Sequence, residues 1–98
     1  MSKGYWIVRV SVENEARYPD YLAAAKPAFA KFEAHFLVRG GRYDAMEGQA
    51  RERNVVVEFK DVETAHAFYA SPEYQAARDI RMANADTDFI IIEGAAAP

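Results

Sequence analysis

The chain contains no cysteine. That removes disulfide bridges, thiolate nucleophiles and cysteine metal sites together. Only two histidines are present, His35 and His66, and no HxH or HExxH spacing occurs. A metal centre needs three or four ligands within reach, so no metal is expected. No apolar run nears the ~20 residues that span a bilayer, and no membrane partner is expected. There is no basic excess either: the net charge is -3. Nucleic-acid binders usually present a basic face, so nucleic acid is not an expected partner. The opening residues carry one lysine and a short apolar run, unlike a signal peptide. The expectation is a soluble cytoplasmic protein.

Apolar and aromatic residues, by contrast, are plentiful: 51% and 13% of 98 residues. That length makes one domain, residues 1–98, with the small-residue tail 94–98 expected to fray. A domain this small leaves roughly a third of its unfolded surface wet. Such richness therefore points to apolar surface buried against a partner.

Tyr5–Val12 alternates. Trp6, Val8, Val10 and Val12 make one apolar face, and Tyr5, Ile7, Arg9 and Ser11 a mixed one, which is the pattern of a half-buried strand. Tyr18, Leu22, Ala25, Phe29 and Phe32 recur at helical spacing. Pro19 suits the first turn of that helix, whereas Pro27 lies inside it and is expected to kink it. "HFLVR" and "RYDAMEG" read as strand on both sides of Gly40–Gly41, and "NVVVEF" as the next strand. Asp61 is a fitting N-cap for a second helix, and "SPE" restarts it: Ser71 caps and Pro72 takes the first position. "TDFIIIEG" closes the chain as a last strand.

Strand, helix, strand, strand, helix, strand is the order of a ferredoxin-like α+β sandwich. It predicts one antiparallel four-stranded sheet, order 4-1-3-2, with the helices on one face. The other face, with Ile7, Val56, Ile90 and Ile92, would stay uncovered in a monomer. A second copy, sheet on sheet, is the expected cover. Arg9 and Glu58 share the mixed face of adjacent strands and are expected to meet there.

This layout, with "KGYWIVRV", "FLVRGGRYDAMEG", "VVVEF", "AFYASPEYQAARDIR" and "FIIIEG", resembles the domain-of-unknown-function 1330 family from about Gly4 to Gly94. The resemblance implies a dimeric α+β barrel, in which two ferredoxin-like subunits close their sheets face to face. It implies no single activity. The wider barrel superfamily includes small monooxygenases, lactone isomerases and haem enzymes.

"RGGR" could cradle an anion only if its glycines opened a helix. A strand is expected to follow, and no lysine followed by Ser or Thr completes a P-loop. The glycines are expected to shape a bulge or sharp bend that could aim Arg39 or Tyr43 into a cavity. His66, among Ala65, Phe68 and Tyr69, is either a packing residue or a proton carrier near neutral pH. Arg78 reads as part of a solvated stripe, whereas Arg81 either joins it or points under the helix to hold a carboxylate. Tyrosine hydroxyls need partners when buried, so a ring-lined cavity with polar tips is expected between sheet and helices.

Two functions follow. One is a small-molecule protein acting on an aromatic or carboxylated compound without metal or cofactor. Its candidate catalytic residues are His66 and Tyr69, and its candidate ligand-binding residues Arg39, Tyr43 and Arg81. Haem is not expected, since only His35 or His66 could be its axial ligand. The other is a non-catalytic homodimeric binding or scaffold protein, favoured by the lack of a nucleophile-base-orienter set.

Overall fold

The computed structural model describes residues 2–96. Ala97 and Pro98, the end of the expected tail, lie outside the described residues. The elements run β1 (Gly4–Val12), α1 (Tyr18–Lys31), β2 (His35–Arg39), β3 (Arg53–Phe59), α2 (Val62–Ala70), α3 (Pro72–Asn84) and β4 (Ala85–Glu93). The strands form one antiparallel sheet in the order β2-β3-β1-β4. The fold is the expected ferredoxin-like α+β sandwich, with its second helical region divided in two.

Local chemistry sets the helix ends. The Asp61 carboxylate accepts from the Thr64 backbone N–H at 2.7 Å and opens α2. The Ser71 hydroxyl accepts from the Tyr74 N–H at 3.2 Å and opens α3, with Pro72 first in the helix. Each cap satisfies a donor that the first helical turn leaves free. Pro19 sits in the first turn of α1, which continues through Pro27 to Lys31.

Trp6 is the centre of the core. Its ring lies 4.7 Å from Phe68, 4.8 Å from Phe89, 5.0 Å from Tyr74 and 5.2 Å from Phe59, centroid to centroid. Its indole N–H donates to the Ala65 carbonyl at 3.1 Å, so the one polar atom of the ring is not stranded. Alanines at the helix contacts, Ala25, Ala28, Ala65 and Ala77, are buried and let the helices approach the sheet closely. Burying each large side chain of this cluster contributes about 1.5–3 kcal/mol.

Three expectations are corrected. "RYDAMEG" is not a strand: residues 41–52 lie outside the sheet, and 41–50 are exposed throughout. Gly40, at φ 66°, turns the chain out of the ladder, and β3 begins only at Arg53, so no stretch of β3 continues beside residues 41–52 to extend the hairpin. Of the bulge or sharp bend expected at the glycines, the bend is there, at Gly40, but the bulge is not. Phe36 pairs with Val57 and Val38 with Val56, leaving Leu37 as the extra residue. Arg9 and Glu58 do not meet. Arg9 stands opposite Asn54 and Asp88, whereas Glu58 stands opposite Tyr5, about 13 Å further along at 3.3 Å per residue. Arg9 donates instead to Asp88 at 3.2 Å, and Glu58 accepts from Lys3 at 3.1 Å and the Tyr5 hydroxyl at 2.9 Å.

The helices cover one face of the sheet. Across the other, Val38, Val56, Ile7 and Ile90 stand side by side in one row. Leu37 is 54% exposed and Ile90 51%. The polar rows Glu58–Tyr5 and Asn54–Arg9–Asp88 flank this apolar band.

Candidate functional site

The bulge at Leu37 decides which way Arg39 points. In an unbroken alternation Phe36 and Val38 would share a face, and Arg39 would turn away from the helices. With one extra residue, Arg39 comes opposite Val55, on the helix side. There it lines a cavity of about 560 Å³ between the sheet and α1. Val8, Val55 and Phe89 line it from the sheet, Tyr21 and Phe29 from α1, and Tyr74 from α3. The volume falls in the range of small-molecule sites.

The charge of this lining is one-sided. Lys26, Arg39 and Arg53 contribute to it, and no aspartate or glutamate does. The Arg39 guanidinium lies 4.2 Å from the Phe36 ring centre, and that of Arg53 lies 5.7 Å from the Tyr18 ring centre. Neither arginine forms an ion pair among the described residues. The Arg53 Nε is buried without a hydrogen-bond partner. Burial pushes the Tyr18 phenol up, partly offset by Arg53, and pushes the Tyr74 phenol far up. Both therefore stay neutral at physiological pH and able to donate.

Beyond Phe89 lies a second cavity of about 410 Å³, bounded by α3 and β4. Arg81 lines it and is only 3% exposed. Its guanidinium lies 5.3 Å from the Phe89 ring centre and 5.7 Å from that of Tyr21. Tyr69 lines the same cavity, and its hydroxyl accepts from Arg78 Nε at 2.8 Å.

The predicted residues thus divide. Arg39 reaches the first cavity; Arg81 and Tyr69 reach the second. His66 is exposed on α2 and lines neither. Tyr43, 46% exposed in the loop after Gly40, lines neither. Sequence reasoning passed over Arg53, Thr87 and Lys26. For the first two a signal existed: Arg53 alternates with Val55 and Val57, and Thr87 with Phe89 and Ile91, so period two places both on the helix side. Among the described residues, no three His, Asp or Glu side chains converge to hold a metal ion, and no helix is long and apolar enough to cross a membrane.

No curated protein matches the sequence. Among solved structures, the RPA0582 protein of unknown function from Rhodopseudomonas palustris is similar, with a TM-score of 0.79 at 14% identity, covering 98% of this chain and 85% of that one. SnoaB, a cofactor-independent oxygenase from Streptomyces nogalater, aligns with a TM-score of 0.63 at 12% identity, over 99% of this chain and 97% of its own. A dimeric protein of unknown function and ferredoxin-like fold from Bacteroides fragilis aligns with a TM-score of 0.58 at 14% identity, over 93% and 95%. At such identities the likeness is one of fold. In sequence, residues 3–95 match the family described as Domain of unknown function (DUF1330), nearly the whole chain, and the protein belongs to that family.

Proposed function

We propose that the protein is a homodimer that binds a small aromatic carboxylate in the cavity between sheet and α1. The observation that carries this reading is the lining: three cations and no acid around an apolar, ring-walled space, in a chain of net charge -3. An aromatic ring packs against Tyr21, Phe29 and Phe89, and a carboxylate meets Arg39 and Arg53, whose planar donors suit it. Binding is favoured over catalysis. Among the described residues, no nucleophile, base and orienting group stand in hydrogen-bonded sequence at this cavity. A catalytic form would draw its proton from the Tyr21–Tyr74 hydroxyl pair, two of the three phenols that line the cavity. His66 and Tyr69 lie outside this cavity and would have to act from elsewhere.

The homodimer rests on the apolar row Val38–Val56–Ile7–Ile90 on the uncovered face. A face of that kind is costly to leave wet. The dimeric description of the similar Bacteroides fragilis protein supports the same assembly.

Trp6 is the chain's one tryptophan and lines the first cavity, so its fluorescence reports occupancy. Benzoate is expected to alter Trp6 emission saturably, and the uncharged benzyl alcohol to bind far more weakly. Arg39→Ala and Arg53→Ala should each weaken benzoate by about tenfold, the worth of one hydrogen bond to a charged group. Equal responses to acid and alcohol, or none to either, would overturn the reading.

A further inference from the structure

We infer that the second cavity is a separate site for a small monoanionic carboxylate, with Arg81 and Thr87 as its donors. It does not depend on the first cavity, since Phe89 is the one residue that lines both.

Arg81 lies on the buried face of α3, four residues after Ala77 and seven after Tyr74, both fully buried. That spacing turns its side chain beneath the helix. Its guanidinium carries five N–H donors and no acceptor. The rings of Tyr21 and Phe89 lie beside it, and rings accept no conventional hydrogen bond. Two of its nitrogens, Nε and Nη1, are buried with no partner. A buried charge without counter-charge or acceptors is strongly unfavourable.

Thr87 makes the same demand from the sheet. It stands opposite Val10, two residues before Phe89 on the helix side of β4, and its Oγ1 is buried and unpartnered. Arg81 and Thr87 line the same cavity, one from above and one from below. The Tyr69 hydroxyl, already accepting from Arg78, has its own proton to offer. Every one of these groups can donate to an oxyanion, and a carboxylate accepts several such bonds at once.

The rim sets the charge of the guest. Glu13 and Asp86 line this cavity and are exposed. Asp86 already accepts from Arg51 at 3.0 Å. Their repulsion weighs more on a doubly charged phosphate than on a singly charged carboxylate.

The test is the melting temperature of the full chain in acetate, phosphate and chloride at matched ionic strength and pH 7, with Trp6 emission followed in parallel. Acetate is expected to raise the melting temperature saturably, phosphate less, and chloride not at all. Trp6 emission should stay unchanged, because Trp6 does not line this cavity. Arg39→Ala should leave the acetate response intact. Thr87→Val, which keeps shape and removes the hydroxyl, should weaken acetate about tenfold. Arg81→Gln should abolish the response; if it does not fold, Thr87→Val still decides. The inference is overturned if acetate and chloride act alike, if phosphate acts more strongly, or if Thr87→Val responds as wild type does. It is overturned equally if Glu13→Gln lowers the melting temperature in chloride as far as Arg81→Gln does, since Glu13 would then be the internal counter-charge.

Discussion

The hydroxyl of Tyr21, on α1, lies 3.0 Å from the hydroxyl of Tyr74, on α3, so one phenol donates to the other beneath the helix layer. Burial, reinforced by Tyr21, pushes the Tyr74 phenol far above its ordinary range. The unfolded chain releases this proton near pH 10, whereas the folded chain holds it. Stability is therefore fully present below about pH 10 and declines as the pH rises beyond it. Tyr74→Phe is expected to cost about 1 kcal/mol at neutral pH, through the lost hydrogen bond. It should also move alkaline unfolding, followed by circular dichroism, to higher pH. An unchanged alkaline midpoint would leave Tyr18, also raised by burial, as the titrating group.

The three glycines 4, 40 and 41 separate three situations. A Cβ on Gly4 would lie 2.5 Å from the Asp61 carbonyl oxygen, where β1 meets the start of α2. At Gly40 it would meet both a positive φ of 66° and Arg53 Nη1 at 2.8 Å. At Gly41 nothing lies within 4 Å. Denaturant melts should show Gly4→Ala as the most destabilising and Gly40→Ala costing about 1–2 kcal/mol from the left-handed backbone. Gly41→Ala should fall within about 0.5 kcal/mol of wild type. A large loss at Gly41 would mean that the glycine pair acts as a unit.

Arg9 and Glu58 should be energetically independent. They lie in different rows of the sheet, each with its own partners. A double-mutant cycle of Arg9→Met and Glu58→Leu is expected to add within about 0.5 kcal/mol. The Arg9–Asp88 cycle should show a weak favourable coupling of at most about 1 kcal/mol, since both side chains are about half exposed. Strong Arg9–Glu58 coupling would require a second copy that brings one chain's Arg9 to the other's Glu58.

On the uncovered sheet face, Ile90→Asp puts a charge into the apolar row Val38–Val56–Ile7–Ile90. Wild type should sediment at twice the mass of one chain, and the variant at once that mass with its circular dichroism unchanged. A stable interface of this kind buries more than about 1,000 Å² in total. A wild-type monomer at micromolar concentration would dispose of the dimer.

What the sequence determined by itself was everything that rests on neighbours along the chain. Alternation in Tyr5–Val12 marked a strand and its apolar face, of which Trp6, Val8 and Val10 are buried and Val12 partly so. Cap chemistry at Asp61 and Ser71 marked two helix starts to the residue, because a cap is a bond between groups three residues apart. Element order then left few topologies, and the observed sheet order is the expected one. Pairing between distant strands decided the rest. Leu37 is the bulge because of how β2 settles against β3, and that single slip carries Arg39 from the open face to the cavity. The same pairing leaves residues 41–52 outside the sheet, although "RYDAMEG" reads as a strand in sequence. Register likewise gives Arg9 to Asp88 and Glu58 to Tyr5 and Lys3. Helical spacing put Arg81 on a face with Tyr74, but a spacing cannot say whether that face meets water or another layer. Only the packing of α3 between α1 and β4 buries its guanidinium beside Tyr21 and Phe89, with donors still unmatched. Local signals survive in sequence because they act over one turn or one pleat; a side chain's final surroundings are set by residues far away along the chain.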